Sequence, residues 1–338
     1  MFHALVKHIL FSFEPETAHH ISLQGLQWAY QLYLTKFFPK PKNNPCSLMG
    51  LHFPNRIGLA AGFDKNAEYI DALAEYGFGF IEIGTVTPQP QLGNPSPRIF
   101  RLPEHQAIIN QLGFNNKGAE YVAHQLSQTK YKGILGINIG KNLKTPLEHA
   151  YEDYLFCFRK LSPYASYFTI NISSPNTPQL RNLQQEQWIR PLLAMLKQER
   201  DTLMLSKKKY LPLVVKISPD LSNIELESLA TILLEEHIDG IIATNTTLTR
   251  KGVEKHSLAK KQGGLSGMPL STQSTIVIKQ LHNLLGDKIP IIASGGVMDT
   301  YTASEKYHAG AVLLQVYTGM IYHGLGIIRQ LAQIIPNP

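Results

Sequence analysis

The sequence predicts a parallel (β/α)8 barrel, class α/β, and three observations carry that reading. From position 57 onward, short apolar runs rich in Ile, Val and Gly alternate with longer stretches of helical period. The runs number eight, the strand count of this barrel, and each is almost continuously apolar, as strands covered on both faces are. Polar residues then cluster at the C-terminal ends of the runs, the face on which a barrel assembles its active site. A doubly wound open sheet is the alternative, but it would scatter those residues along an edge.

In chain order the predicted strands cover 57–62, 79–85, 133–140, 167–173, 211–218, 238–245, 289–295 and 311–318, with helical segments such as 65–76 and 224–236 between them. Their ends carry Lys65 and Asn66, Thr85, Asn138, Asn171, Lys216, Asn245, Gly295 and Gly296, then Tyr317 and Thr318. Three connections exceed what a barrel needs: 86–114, with five prolines, 174–186, and 246–267. Long ordered loops cost entropy, so these read as lids or binding loops.

Residues 1–45 read as a separate helical extension to a barrel domain over 46–338. Ala18, Ile21, Leu26, Ala29, Leu32 and Tyr33 recur at helical spacing behind Pro15, and Leu5, Ile9 and Leu10 predict a shorter helix before it. The extension carries four lysines against two glutamates, and Trp28, Tyr30, Tyr33, Phe37 and Phe38 lie close to the lysines. A helix pair resting in a membrane interface has that composition, as does a helical cap on a barrel.

Composition narrows the function classes. With 338 residues, 43% hydrophobic and 17% charged, the chain can bury a sizeable core, which excludes disorder, coiled coil and collagen-like repeats. A net charge of +7 suits an anionic ligand, an anionic membrane surface or nucleic acid. Cys46 and Cys157 have no CxxC or CxxxH partner, so the expectation is no disulfide, no metal site and a reducing compartment. No apolar run reaches the ~18 residues of a spanning helix, and the first apolar stretch is too short and interrupted for a signal peptide.

The most informative stretch is Asn171-Ile172-Ser173-Ser174-Pro175-Asn176-Thr177-Pro178. It leaves a strand end with several amides and hydroxyls close together, able to hydrogen-bond a flat anionic ring and still supply a hydroxyl as acid or base. An Asx/Ser turn is the other reading. Asn110 with Gly113-Phe114-Asn115-Asn116, and Thr244-Asn245-Thr246-Thr247, add more amides at the same mouth. Such groups need a ligand rich in amide and carbonyl groups, a sugar or a pyrimidine. Glycines in Gly263-Gly264-Leu265-Ser266-Gly267, Ser294-Gly295-Gly296 and Tyr317-Thr318-Gly319 let backbone N–H groups approach a phosphate. Lys65 and Lys216 emerge from apolar strands and need anionic partners, or salt bridges to Asp64 and Asp220.

Together these segments closely resemble dihydroorotate dehydrogenase, class 2, the quinone-reducing branch. The matching runs are 58–66, 83–88, 137–142, 171–178, 243–247 and 263–270, in order along nearly the whole chain. The resemblance implies an FMN enzyme that oxidises dihydroorotate to orotate in pyrimidine synthesis and reduces a membrane quinone. It implies Ser174 as the base, where class 1 enzymes have a cysteine, with Thr177 and an ordered water as its relay.

For the substrate it implies Lys65, Asn110, Gln111, Leu112, Gly113, Phe114, Asn171, Asn176, Asn245 and Thr246. For FMN it implies Ala61, Gly62, Phe63, Asp64, Lys65, Thr85, Asn138, Asn171, Lys216 and Thr244, with Gly267, Gly296, Tyr317 and Thr318 around the phosphate. His19 and Arg101 are the implied quinone contacts. The implied setting is a peripheral protein at the cytoplasmic face of the inner membrane in a bacterium, with no nucleic acid and no obligate protein partner. Phe63, Gln111 and Gln179 depart from the family's usual leucine, arginine and glycine. Gln179 bears on the lid, because a Cβ disfavours positive φ. Competing readings are another FMN barrel acting on a dihydropyrimidine or dihydrouridine, and a non-catalytic barrel that binds a phosphate ligand.

Overall fold

The computed structural model describes residues 2–334. Eight parallel strands close into a barrel: β1 (Ile57–Leu59), β2 (Phe80–Val86), β3 (Ile134–Ile139), β4 (Tyr167–Asn171), β5 (Leu213–Ile217), β6 (Gly240–Ala243), β7 (Ile291–Ala293) and β8 (Ala311–Val316). Each pairs with the next in sequence, and β8 returns to β1 with Leu314 opposite Ile57 and Val316 opposite Leu59. All eight predicted strands are present. Seven end one to three residues early on the C-terminal side, because there the chain leaves the ladder to form the rim of a cavity.

Complementary side-chain size fills the barrel floor. Phe80, Ile134, Tyr167, Val214, Ile242, Ile292 and Leu313 point inward in one layer. An antiparallel hairpin, Cys46–Leu48 with Leu51–Phe53, closes it from below through Phe53, whose ring meets Phe80 edge-on at 5.4 Å. A Cβ on Gly58 would stand 2.3 Å from the Phe80 ring, and one on Gly136 would stand 2.2 Å from Tyr167. These glycines make room for the aromatic rings, and truncating such a ring to Ala costs ~3–5 kcal/mol. The outer strand faces form a larger core with the surrounding helices, including Asn223–Glu235, Ser271–Leu285 and Thr300–His308.

Two local expectations are corrected. The connections 86–114 and 246–267 are not only loops: Ile99–Leu102, Ala107–Asn110 and Gly264–Gly267 pair antiparallel into a three-stranded sheet beside the barrel mouth. The helix expected over 65–76 is confined to Ile70–Ala74. Upstream of it, Asp64 accepts the N–H groups of Asn66 (3.3 Å), Glu68 (3.0 Å) and Tyr69 (2.8 Å), holding a non-helical turn.

Before the hairpin stand two helices, α1 (Phe2–Ser12) and α2 (Pro15–Gln31). Glu14 caps α2 by accepting from the N–H of Glu16 and Thr17, and Pro15 occupies a first-turn position that lacks a helical partner in any case. Ala18, Leu23 and Leu26 are buried, whereas Trp28, Leu32, Tyr33 and Phe37 are exposed, Phe37 by 85%. Among the described residues, no helix is long and apolar enough to cross a membrane.

Candidate active site

A cavity of about 1160 Å³ opens at the C-terminal ends of the strands and continues between α1 and α2. Its floor is polar. Glu82 on β2 is fully buried, and its carboxylate accepts from Asn138 Nδ2 (2.8 Å), Tyr167 Oη (2.9 Å), Thr169 Oγ1 (3.0 Å) and Gln315 Nε2 (2.7 Å). A carboxylate only accepts, so it fixes which end of the Asn138 amide faces away. Asn138 Oδ1 then accepts from Thr85 Oγ1 (2.6 Å) and Asn171 Nδ2 (3.0 Å). Asn171 Oδ1 in turn accepts from Asn245 Nδ2 (3.3 Å) and Ser173 Oγ (3.3 Å). Three mouth asparagines are thereby oriented in series from one buried anion.

Lys216 lies on the wall above this layer. Burial lowers its pKa, and the Glu82 charge opposes that shift. Burial also lowers Lys65, which faces the opposing fields of Glu16 and Arg98. The salt bridges foreseen as alternatives, Lys65 to Asp64 and Lys216 to Asp220, do not form. Asp64 is engaged by its own loop, with its carboxyl pushed up to about 6 by burial, and Asp220 pairs with Arg181 at 2.8 Å. Both lysines keep their heads for the cavity.

Ser174 is buried on the wall, where its Oγ accepts the Asn176 N–H at 3.3 Å. Asn176 Nδ2 donates to Asn110 Oδ1 at 2.9 Å, joining two predicted contacts across separate loops. Thr177 Oγ1, three residues beyond Ser174, is buried with no protein partner. Leu112, Gly113 and Phe114 form the facing edge, braced by Asn94 and by Gln91, which donates to the Gly113 carbonyl at 3.0 Å. Thr246 holds its N–H on the Asn245 amide at 2.8 Å.

At the far end, Gly295 and Gly296 adopt φ of 90° and 69°. A Cβ on Gly296 would stand 2.3 Å from Ser271 Cα, so only glycine leaves this backbone exposed to the cavity. Tyr317 and Thr318 line the same end, Thr318 with its hydroxyl 2.9 Å from Ser266 Oγ. Ala61, Gly62 and Thr244 complete the wall. Phe63 stands where the two halves of the cavity meet, edge-on to Tyr317 (5.6 Å) and to the His19 ring (4.8 Å).

The helix pair is tied to this mouth by three clasps. Glu16 accepts two bonds from Arg98, Nε at 2.8 Å and Nη2 at 2.9 Å. Arg101 donates to the Leu10 and Phe13 carbonyls and lies over the Phe11 ring at 4.6 Å. His19 Nε2 bonds the Phe63 carbonyl at 2.9 Å, and burial with the nearby Lys65 charge lowers its pKa to about 4, leaving it neutral.

Family members with the same architecture are close at hand. A family model described as dihydroorotate dehydrogenase matches residues 45–337. The chain is 52% identical to a dihydroorotate dehydrogenase (quinone) of Nitrosospira multiformis over 100% of this chain and 97% of that one. The chain belongs to the class 2 dihydroorotate dehydrogenase family. A second quinone-dependent relative, from Cellvibrio japonicus, is 51% identical over 97% of this chain and 96% of its own. The solved dihydroorotate dehydrogenase of Eimeria tenella in complex with ferulenol superposes with a TM-score of 0.85 at 36% identity, covering 94% of this chain and 90% of that one. Membership makes this chain an oxidoreductase.

Most residues expected from the dihydroorotate dehydrogenase resemblance line the cavity, with four exceptions. Thr177 is buried outside the lining. Asn138 lies beneath the wall, reaching it only through Thr85 and Asn171. Gln111 is drawn into the loop, its N–H on the Arg98 carbonyl (2.8 Å) and its carbonyl accepting from Asn94 Nδ2 (2.7 Å). Gly267 abuts the Gln106 carbonyl, 2.2 Å from where a Cβ would stand, so its glycine serves strand packing and a φ of 95°. Gln179 does take the left-handed conformation that its Cβ disfavours, at φ 58°.

Two residues escaped the sequence reading. Glu82 has a signal, an acid inside the apolar run Phe80-Ile81-Glu82-Ile83. Arg181 has none: its Nε and Nη2 reach the carbonyls of Ser173 (3.0 Å) and Thr246 (2.9 Å), pinning the two polar loops together.

Proposed function

We propose that this enzyme oxidises dihydroorotate to orotate on FMN and passes the electrons to a membrane quinone, with Ser174 as the base. The observation that carries the reading is the single cavity, polar at the barrel mouth and apolar between α1 and α2. It accommodates a charged pyrimidine at one end and a lipid-soluble acceptor at the other.

The wall fits FMN. Gly296, Tyr317 and Thr318 offer the backbone approach a phosphate requires, while Thr85, Asn171 and Thr244 supply polar contacts for a flavin ring and ribityl chain. When bound, FMN accepts the hydride and delivers electrons onward. Lys216, whose charge burial disfavours and the Glu82 field supports, favours negative charge beside it.

Asn110, Asn176 and Asn245 hold the pyrimidine ring, and Lys65 supplies a cation for its carboxylate. Ser174 Oγ takes the C5 proton, which the neighbouring carbonyl acidifies. A serine hydroxyl is a weak base, and the unpartnered Thr177 Oγ1 offers a second hydroxyl for a water relay. Arg181 keeps the Ser174 loop closed against Thr246, excluding bulk water.

Residues 1–45 act as the quinone-access extension to the barrel domain over 46–338. Their exposed Trp28, Leu32, Tyr33 and Phe37, with Lys36 4.6 Å from the Tyr33 ring centre, suit peripheral attachment to the cytoplasmic face of the inner membrane. His19 and Arg101 are the polar groups nearest the quinone.

The test is an anaerobic visible spectrum of the purified protein before and after dihydroorotate, and again after a soluble quinone. Bleaching followed by recovery supports both half-reactions. A flavin that stays oxidised overturns the substrate, and a colourless protein that cannot be reconstituted overturns the cofactor.

A further inference from the structure

Lys306 lies on the Thr300–His308 helix, fully buried, and its Nζ donates to the Ser271 carbonyl (3.2 Å), Ser274 Oγ (2.6 Å) and Thr275 Oγ1 (3.0 Å). All three acceptors are neutral, and among the described residues no carboxylate bridges it. They belong to the first turn of the Ser271–Leu285 helix, the end that carries the positive pole of its dipole. An ammonium there is disfavoured twice, by desolvation and by that pole.

Each of the three partner atoms also has a hydrogen bond that does not involve Lys306. Ser274 Oγ already donates to the Gly295 carbonyl at 2.7 Å, and Thr275 Oγ1 to the Ser271 carbonyl at 3.0 Å. A lysine is therefore a costly choice for packing alone, where methionine would fill the same volume. Ser271, whose carbonyl Lys306 holds, packs its backbone directly against Gly296 at the glycine end of the cavity. One residue thus separates the buried amine from that exposed backbone.

We infer that Lys306 is an electrostatic positioning residue for the dianionic phosphate of the cofactor, offsetting its charge from behind the Gly295–Gly296 turn without touching it. The inference rests on the FMN reading and adds to it a residue outside the cavity wall. Burial brings Lys306 down to about 7, with its helix neighbour Glu305 opposing, so a bound dianion would return the amine to its charged form.

Riboflavin, which is FMN without the phosphate, separates a phosphate effect from a structural one. The full-length holoenzyme is stripped of flavin, and dissociation constants for FMN and riboflavin are measured by fluorescence quenching. Lys306→Met should weaken FMN at least tenfold and leave riboflavin within twofold. Lys306→Gln, which keeps hydrogen-bond donors but no charge, should do the same, and Lys306→Arg should restore most of the FMN affinity.

Unchanged FMN affinity in either neutral variant, or equal losses for FMN and riboflavin, would overturn the inference and leave the FMN reading intact. If neither neutral variant folds, the parent protein decides: an FMN preference over riboflavin above tenfold supports a charged phosphate site, and a smaller one overturns it. A parent that binds neither flavin overturns the cofactor reading and this inference with it.

Discussion

The barrel mouth and the N-terminal helix pair line one cavity by opposite means. At the mouth, Glu82, Asn138, Asn171 and Asn245 hold one another in a directed hydrogen-bond series before any ligand arrives. Between the helices the wall is largely apolar and attached through the Glu16–Arg98 pair, the Arg101 bonds and the His19–Phe63 bond. Directional contacts suit a rigid polar substrate, whereas an apolar slot accepts a long acceptor of variable fit. The difference teaches that one cavity can be strict toward one partner and permissive toward the other.

The strongest way to test this division is at its polar centre. Ser174→Ala should retain FMN and lower the rate of flavin reduction by dihydroorotate ~10²–10⁴-fold, read by anaerobic stopped-flow, with quinone reoxidation unchanged. Retention of the parent reduction rate would remove Ser174 as the base.

Glu82→Met strands the four donors that converge on the carboxylate. It should lower stability by about 3 kcal/mol or more in urea unfolding and weaken orotate binding, seen as a smaller flavin spectral shift. A variant as stable as the parent would show that the mouth is not organised from that anion.

On the apolar side, Glu16→Gln removes one charge of a partly buried pair while Arg98 keeps its bonds to Leu92 and Asn94. Quinone KM should rise several-fold, corresponding to about 1 kcal/mol, with dihydroorotate reduction within twofold. Equal losses in both half-reactions would mean that the two ends are mechanically coupled.

The smallest effect concerns pH. His19 has a lowered pKa when the helices are docked, so the undocked form binds more protons between about 4 and 6.5. Docking therefore weakens as pH falls through that window, and hydrogen-exchange protection factors over α2, corrected for the pH dependence of intrinsic amide exchange, should fall there. His19→Gln should flatten the dependence.

The barrel was legible because each strand is apolar on both faces and ends in a polar residue, a contrast visible without any contact map. The asparagines and Ser174 were legible as types at strand ends, but not their pairings. Which amide faces which depends on Glu82, a single letter in an apolar strand whose partners lie on three other strands. The late start of the helix expected over 65–76 was hidden for a similar reason: the Asp64 carboxylate, just ahead of it, takes three local N–H groups. The three-stranded sheet was hidden because Gly264–Gly267 pairs with a segment more than 150 residues away and interrupted strands resemble loops.

The closure of β8 onto β1 sets an order of events during biosynthesis. Tyr317 Oη reaches the Gly62 carbonyl at 3.4 Å, joining segments made early and late. A growing chain carries Asn110, Asn176 and Asn245 well before Gly296, Tyr317 and Thr318 exist to complete the opposite wall. On the flavin reading, yellow colour in a ribosome-stalled or truncated product would therefore report that the ring has been sealed, making the cofactor an indicator of finished synthesis.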